Sequence, residues 1–316
     1  MGKYIVTNGQ NIYDISLHLY GSIEGIVDLM MNNTNLSLSD TLHAGDELIY
    51  TDNFIINPDV FAYLQTNKIT PANGEQHVYY KSSDKTRVLE AYLENNKTAV
   101  EFSISGAGSV DIDWGDNTSI QSISLSDIYK PITHIFDNQI ADRRKIVIYG
   151  EDNLKIKKVD FSKLTASRIY LLRPIYVERF ILENNTLPID FISLLNGVFD
   201  INLSYISTGD VTPLLNCKQL MKLDLSGANI KQNVIDSYLI GLVKFYHERR
   251  NCSIILTTTP SGEYQEPQRD SNQSYIISSG MEAIWVLTHE LSWNEAGSWS
   301  FTINDTIYSF EKENKQ

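Results

Sequence analysis

The chain has 316 residues, and its 39 acidic residues outnumber its 26 lysines and arginines, which gives a formal net charge of −13. Such a charge repels the phosphate backbone of nucleic acids, so nucleic acid is excluded as an expected partner. The length allows two or three domains with cores of their own. The sequence contains no long apolar run and no apolar signal segment, so neither membrane insertion nor export is expected.

Residues 1–52 predict a compact unit of two strands and two helices in the order βααβ. Residues 4–6 predict a strand, and the helix that follows is expected to end at Gly21. Ser22 is expected to cap the second helix. Residues 47–50 predict a strand that pairs with the first and closes the unit. The buried face of the second helix is expected to consist of Ile26, Val27, Leu29, Met30 and Met31.

Several residues of this unit recur in a known pattern: Tyr4-x-Val6, Gly9, Asp14-Ile15, Tyr20-Gly21, the asparagines after the second helix, and Gly45-x-x-Leu48. They resemble a LysM module, over about one sixth of the chain. The pattern departs from the family after the second helix, where an Asn-Pro pair is usual and Asn33-Thr34-Asn35 has no proline. The resemblance implies a groove that docks a protein or a glycan, formed by Gly9, Gln10, Asn11, Ile12, Asn33, Asn35 and Leu36.

The middle of the chain predicts a linker and then a β-sandwich. Residues 53–76 are polar and rich in turn residues, and residues 60–64 are expected to form one helical turn. Apolar residues then alternate with polar ones, which predicts a sandwich over residues 77–152. The strand that ends in Trp114-Gly115-Asp116 and the later His134-x-Phe136 resemble a PKD-type, immunoglobulin-like module. Because the links on both sides of the sandwich are rich in turns, the modules are expected to fold semi-independently.

Three aspartates of the predicted sandwich invite a comparison with calcium sites. The spacing of Asp111, Asp113 and Asp116 breaks the rule for an EF-hand loop, so no metal is assigned. Alternation places Asp111 and Asp113 on the outer face of their strand, and Asp116 is interpreted as a turn residue. His134 is interpreted as a structural histidine bonded to the backbone, rather than a catalytic one. The histidines at 18, 43, 77, 134, 247 and 289 are dispersed, and no cofactor is predicted.

Residues 153–316 contain a repeat of about 21 or 22 residues. Each copy contributes one short apolar strand, and the copy Leu220-x-x-Leu223-x-Leu225 resembles a leucine-rich repeat. The resemblance implies an irregular α/β solenoid. Residues 234–247 predict an amphipathic helix, and the segments 298–301 and 306–310 predict a closing β-hairpin that caps the solenoid. The predicted strands cover residues 159–161, 180–182, 201–203, 223–225 and 254–256.

The cysteines and the C-terminal aromatic residues form two further groups of interest. Cys217 and Cys252 are expected to be buried thiols rather than a disulfide or metal ligands. The aromatic residues near the end of the chain have two interpretations, since they could form a platform for a sugar or a partner protein, or could plug the last rung. This group consists of Tyr264, Trp285, Trp293 and Trp299.

The sequence contains no nucleophile elbow, P-loop or dinucleotide-binding motif, so the expectation is a non-enzymatic protein. A glycan hydrolase stays open as an alternative, because its paired carboxylates carry no local motif. The combination of modules, without an export signal, resembles tail and baseplate proteins of bacteriophages. The resemblance implies a virion component that assembles in the host cytoplasm and docks to other virion proteins. The alternative is a cell-surface or host-adhesion protein that binds peptidoglycan or another carbohydrate.

Overall fold

The structure is a computed structural model, and it describes residues 1–7, 9–38, 40, 42–72, 80–136, 143–247 and 249–310. These residues belong to two compact units, one of Met1–Tyr79 with Phe136–Arg143 and one of Tyr80–Ile135 with Arg144–Gln316. The expected α+β class is confirmed, since the described residues form five α-helices and four sheets. None of these helices is long and apolar enough to cross a membrane. His77 and the expected start of the sandwich lie outside the described residues.

The first unit has the predicted strand–helix–helix–strand order, followed by a third helix. Its elements are β1 (Gly2–Ile5), α1 (Ile12–Tyr20), α2 (Ile26–Asn32), β2 (Glu47–Tyr50) and α3 (Pro58–Thr66), with a 3-10 turn at Ile23–Gly25. The two strands pair antiparallel, with Tyr4 opposite Leu48. The core beneath them consists of Val6, Ile12, Ile15, Tyr20, Leu29 and Leu48.

Helix α3 lies in the segment expected to be a linker, and it is longer than the single turn predicted there. Asn57 caps it through its side chain, and Pro58 occupies the first turn, where no backbone donor is needed. The amides of Ile56 and Asn57 donate to the carbonyl of Tyr20, at 2.9 and 3.0 Å. Gly21 makes this approach possible, because it has φ 70° and a Cβ there would lie 2.1 Å from the Asn57 oxygen. The segment therefore belongs to the first unit.

The second unit contains a five-stranded and a ten-stranded sheet. The five-stranded sheet has the order β10-β3-β8-β5-β6, and the ten-stranded one has β19-β18-β15-β14-β13-β11-β9-β4-β7, with β12 beside β11. Apolar side chains from both sheets meet at a cavity of about 30 Å³, which marks the core between them. The strands up to the end of the predicted sandwich are β3 (Thr86–Leu93), β4 (Ala99–Ala107), β5 (Ser109–Asp113), β6 (Gln121–Ser124), β7 (Lys130–Ile135) and β8 (Arg144–Gly150).

The later elements of this unit alternate short strands with helices and turns. They are β9 (Lys155–Asp160), β10 (Arg168–Leu171), β11 (Ile175–Ile181), β12 (Leu195–Asn196), β13 (Asp200–Asn202), β14 (Lys222–Leu225), α4 (Gln232–Lys244), β15 (Ser253–Leu256), β16 (Gln268–Arg269), β17 (Tyr275–Ile276), α5 (Gly280–His289), β18 (Ser300–Ile303) and β19 (Thr306–Ser309). Strands β18 and β19 form the predicted antiparallel hairpin.

Six of these strands, β9, β11, β13, β14, β15 and β18, form a parallel ladder. The register of the predicted repeat is confirmed, because its first apolar positions lie opposite one another along the ladder. The sequence predicts only a hairpin at the sixth position, Phe301, because the residues of α4, α5 and their loops interrupt the period. The aligned residues are Val159, Phe180, Ile201, Leu223, Ile254 and Phe301, and all are buried.

The ladder continues directly into the predicted sandwich. Strand β4 pairs antiparallel with β9 on one edge and with β7 on the other, so one sheet spans both predicted modules. The chain therefore does not divide into separate compact units between residues 152 and 153. The predicted sandwich and the predicted repeats, which are expected to fold semi-independently, share one sheet. Turn-rich sequence near Gly150 indicated a boundary, but it forms the short loop between β8 and β9.

Candidate functional site

Polar residues in the first loop of the expected groove form hydrogen bonds within the first unit. The Gln10 side chain is 4% exposed, and its oxygen accepts from the Thr7 amide at 2.8 Å and the Tyr4 hydroxyl at 3.0 Å. Its amide nitrogen donates to the Pro71 carbonyl at 3.0 Å. Asn11 caps α1 in a reciprocal pair with Asp14. Ile12 lies in the core, and Gly9 is half-buried.

The second loop of the expected groove is used in a similar way. Asn33 Nδ2 donates to the carbonyls of Leu29 and Ile49, both at 2.8 Å, and its oxygen accepts from the Ile49 amide at 2.9 Å. The side chain thus pairs with the outer edge of β2 as a neighbouring strand would. Leu36 packs against the core. Of the seven expected residues, Asn35 alone is exposed.

Helix α2 presents apolar side chains to the outside. Val27 and Met31, one turn apart, are 65% and 75% exposed, and Ile23, one turn earlier, is 56% exposed. We call these three residues the α2 stripe. The prediction that Val27 and Met31 belong to the buried face is wrong. Leu29 is buried and Ile26 and Met30 pack against the core, and residues 27 and 31 lie on a different side of a helix from this set.

The sequence pattern does not indicate the role of a half-buried carboxylate on α2, that of Asp28. Asp28 accepts from the Tyr20 hydroxyl at 2.7 Å, from the Thr51 amide at 2.9 Å and from the Thr51 hydroxyl at 2.6 Å. Burial raises the pKa of Asp28, but the hydrogen bonds from Thr51 and Tyr20 outweigh it and hold the pKa below its usual value. Asp28 thereby ties α1, α2 and the end of β2 together. No motif marks such a residue, because its donors come from distant parts of the chain.

In the second unit, the ring of His134 bonds the carboxylate of Asp116, a partner that the sequence pattern does not indicate. Its Nε2 lies 2.5 Å from Asp116 Oδ2, and its ring stacks on Trp114 with centroids 4.6 Å apart. Asp116 also accepts from the amide and hydroxyl of Thr118, which agrees with its predicted turn role. Burial opposes ionisation of Asp116, yet the bonds from His134 and Thr118 lower its pKa. The arrangement fastens the turn after β5 to β7.

The outer face of β5 is covered, which corrects the expectation that Asp111 and Asp113 face outward. These residues are 8% and 1% exposed. The segment before β3 crosses over them: Lys85 Nζ lies 2.7 Å and the Ser83 hydroxyl 2.5 Å from Asp111, and the Lys81 amide donates to Asp113 at 2.8 Å. Alternation alone cannot reveal a covering segment, so the pattern indicated the face of the strand but not its burial.

The C-terminal aromatic residues do not form one platform. Trp299 is buried and stacks on Phe301 of β18, as the plug interpretation predicts. Trp285 stacks on His289 at 4.1 Å, and Trp293 stacks on Tyr246 at 3.9 Å. The tryptophans thus belong to three separate stacks. The remaining member of the group, Tyr264, shares a hydrogen bond with Thr288 at 2.8 Å.

Titratable ligands are not gathered at any one point of the described chain. Among those residues, no group of three or more histidines, cysteines, aspartates or glutamates could hold a metal ion. Cys217 and Cys252 are both buried as free thiols, as predicted. Comparison of the chain with protein-family models, with curated proteins and with solved structures finds no match.

Proposed function

We propose that the chain is a non-enzymatic structural component of a bacteriophage virion, in the tail or baseplate. In this proposal the LysM-like first unit docks to another virion protein, and the leucine-rich-repeat-like ladder and PKD-like sandwich supply further contact surface. The chain assembles in the host cytoplasm with its neighbours. The resemblance of the combined modules to tail and baseplate proteins motivates the proposal.

The α2 stripe is the observation that carries the docking role. Three apolar side chains in successive turns, each more than half exposed, form an apolar patch on a small unit. Ile5 on the outer face of β1 is 61% exposed as well. Apolar surface of this kind gains free energy when a partner protein covers it, at roughly 25 cal/mol per Å² removed from water. The first unit therefore has an apolar contact surface made of residues other than those of the expected groove.

The expected groove offers less to a sugar. The side chains of Gln10, Asn11 and Asn33 already make their hydrogen bonds within the unit. A glycan would have to replace these bonds, and each hydrogen bond contributes only roughly 0.5–1.5 kcal/mol net. Gln10, Asn11 and Asn33, which the resemblance assigns to ligand contact, thus stabilise the fold instead.

A density map of purified particles tests the proposal. The particles are those of the phage that encodes the chain. We expect density for the chain in the tail or baseplate, with a neighbouring protein over the α2 stripe. Absence of the chain from purified particles, measured by mass spectrometry, contradicts the virion role. Density for the chain with the stripe facing solvent contradicts the docking role specifically.

A carbohydrate-binding protein is the second candidate, and Tyr13 favours it. This tyrosine follows the first expected loop and is 44% exposed, so its ring is available for stacking on a sugar. Calorimetric titration of the whole chain with chitin oligomers separates the two candidates. Low-micromolar binding that a Tyr13→Ala substitution removes would support the carbohydrate role. A turbidity assay on purified cell wall tests the hydrolase alternative in the same preparation.

A further inference from the structure

The second unit contains an open cleft of about 620 Å³ with an unassigned role. It lies between the segment that joins α4 to β15 and the loop that precedes β18. Its walls include Tyr246, Arg250, Asn251, Ser253, Trp293 and Glu295. The volume is that of a typical small-molecule site, which spans roughly 300–1,000 Å³. All of these walls belong to one compact unit.

One wall of the cleft is a rigid pair of aromatic rings. Trp293 and Tyr246 are stacked with centroids 3.9 Å apart and planes 10° from parallel. The Tyr246 hydroxyl donates to the Trp293 carbonyl at 3.3 Å, and the Asn251 side chain donates to the same carbonyl. Both rings are half-buried. The pair is therefore held in place before any ligand arrives, which lowers the ordering cost of binding.

Arg250 supplies a positive charge to the cleft. Its Nε donates to Gln219 Oε1 at 2.8 Å, and one terminal nitrogen lies 3.8 Å from Met221 Sδ. Within the described part of the chain, no carboxylate lies within 4 Å of this guanidinium. The contrast with other arginines is clear in so acidic a chain, because Arg87, Arg173, Arg179 and Arg269 each lie within 4 Å of a carboxylate.

The neighbouring Arg249 has a different role. Its guanidinium is buried and donates to the carbonyls of Leu215 and Cys217, at the end of a 3-10 turn. These carbonyls carry the partial negative charge of a helix end, so they stabilise the buried cation. Arg249 thus holds the segment in shape, while Arg250 keeps donors for a ligand.

We propose that this cleft binds a sugar ring that carries one carboxylate, as in the hexuronate units of acidic glycans. The apolar face of the ring packs on the Trp293–Tyr246 pair, and the carboxylate accepts two parallel hydrogen bonds from Arg250. Asn251, Ser253 and Glu295 line the same cleft and match sugar hydroxyls as donors and acceptors. A polyphosphate ligand fits poorly, because its several negative charges would exceed the charge that Arg250 supplies beside the carboxylate of Glu295.

The test is calorimetric titration of the full chain with galacturonate oligosaccharides and with neutral galactose oligosaccharides of the same length. We expect saturable binding of the uronates and about tenfold weaker binding of the neutral sugars, since a charge-assisted pair is lost. Arg250→Gln is expected to weaken uronate binding by about tenfold and to leave neutral-sugar binding unchanged. Arg179→Gln is the matched control, an exposed ladder arginine outside the cleft.

The role of the rings is checked by tryptophan fluorescence. Uronate binding is expected to change the emission of the wild-type chain and of Trp285→Phe, and to change it much less in Trp293→Phe. No uronate binding at millimolar concentration, equal affinity for charged and neutral sugars, or an unchanged affinity in Arg250→Gln would each overturn the proposal. The proposal is independent of virion docking, because substitutions in the α2 stripe lie in the other unit and leave this cleft unaltered.

Discussion

The parallel ladder and the first unit are stabilised in different ways. In the ladder, buried apolar residues recur in register on successive strands, and Leu223 lies between Ile201 and Ile254. In the first unit, the small core of six buried residues is reinforced by polar side chains that replace backbone partners, above all Asp28 and Asn33. The comparison teaches that periodic apolar residues predict a register, whereas polar contacts between distant segments leave no pattern in the sequence.

Substitutions at inward and outward positions of the ladder should differ most in their cost to the free energy of unfolding. Leu223→Ala and Leu225→Ala should each lower the free energy of unfolding by about 2–5 kcal/mol, because both side chains are buried. Asp224→Ala should cost about 1 kcal/mol or less, since it removes one hydrogen bond from the Ser226 amide. Urea unfolding of the three variants measures the difference. A larger loss in Asp224→Ala than in either leucine variant would contradict the observed register.

In the first unit, substitutions of two asparagines in one loop should differ in their effect on stability. Asn33→Ala should lower the free energy of unfolding by about 1–3 kcal/mol, because the amide and carbonyl of Ile49 lose their partner. Asn35→Ala is the control, and we expect almost no change because that side chain is exposed. Thermal unfolding of both variants is the measurement. Equal stability of the two would show that Asn33 does not hold β2.

A smaller effect concerns acid stability of the second unit. The pKa of Asp116 lies below its ordinary value of 3.8, with burial outweighed by the bonds from His134 and Thr118. A carboxyl with a lowered folded pKa contributes stability that is fully present above pH 3.8 and is lost as pH falls through the folded pKa. Asp116→Asn should therefore flatten the fall in stability below about pH 4. Denaturant unfolding between pH 6 and pH 2.5 checks this, and an unchanged acid profile would contradict it.

The two buried cysteines should react slowly with thiol reagents in the folded chain. Burial raises the pKa of Cys217 to about 12 and also raises that of Cys252, so thiolate is scarce at neutral pH. We expect a thiol reagent to label neither cysteine in the folded chain and both in denaturant. The time course of labelling gives the result. Rapid labelling of the native chain would contradict the close packing of the ladder beside α4.

The fold was predictable from sequence wherever one pattern dominated. The order of the first unit followed from its caps and glycines, and the ladder register followed from five apolar triplets. The sixth strand was missed as a rung because α4 and α5 separate it from the others. Helix α3 was expected as a short turn because polar residues surround it. The burial of Asp111 and Asp113 depends on a segment that crosses β5, and no local pattern indicates such a crossing.

The expected groove shows that a resemblance can indicate where loops lie without indicating which side chains are free to bind a ligand. Its pattern placed the loops of the first unit correctly, but Gln10 and Asn33 form hydrogen bonds within the unit. The exposed positions of α2 were misassigned because five apolar residues in a short helix exceed the width of one buried face. The contact surface therefore had to be found from exposure rather than from sequence.

The proposed docking of the first unit through the α2 stripe can be tested during infection. A tagged chain with Val27→Glu and Met31→Glu is produced during infection, and its amount in purified particles is compared with that of the wild type. Tyr63→Glu on α3 is the control, because Tyr63 is 62% exposed and lies outside the stripe. We expect the double variant to fold normally but to be reduced about tenfold or more in particles, and the control to be incorporated fully. Normal incorporation of the folded double variant would contradict the proposed docking.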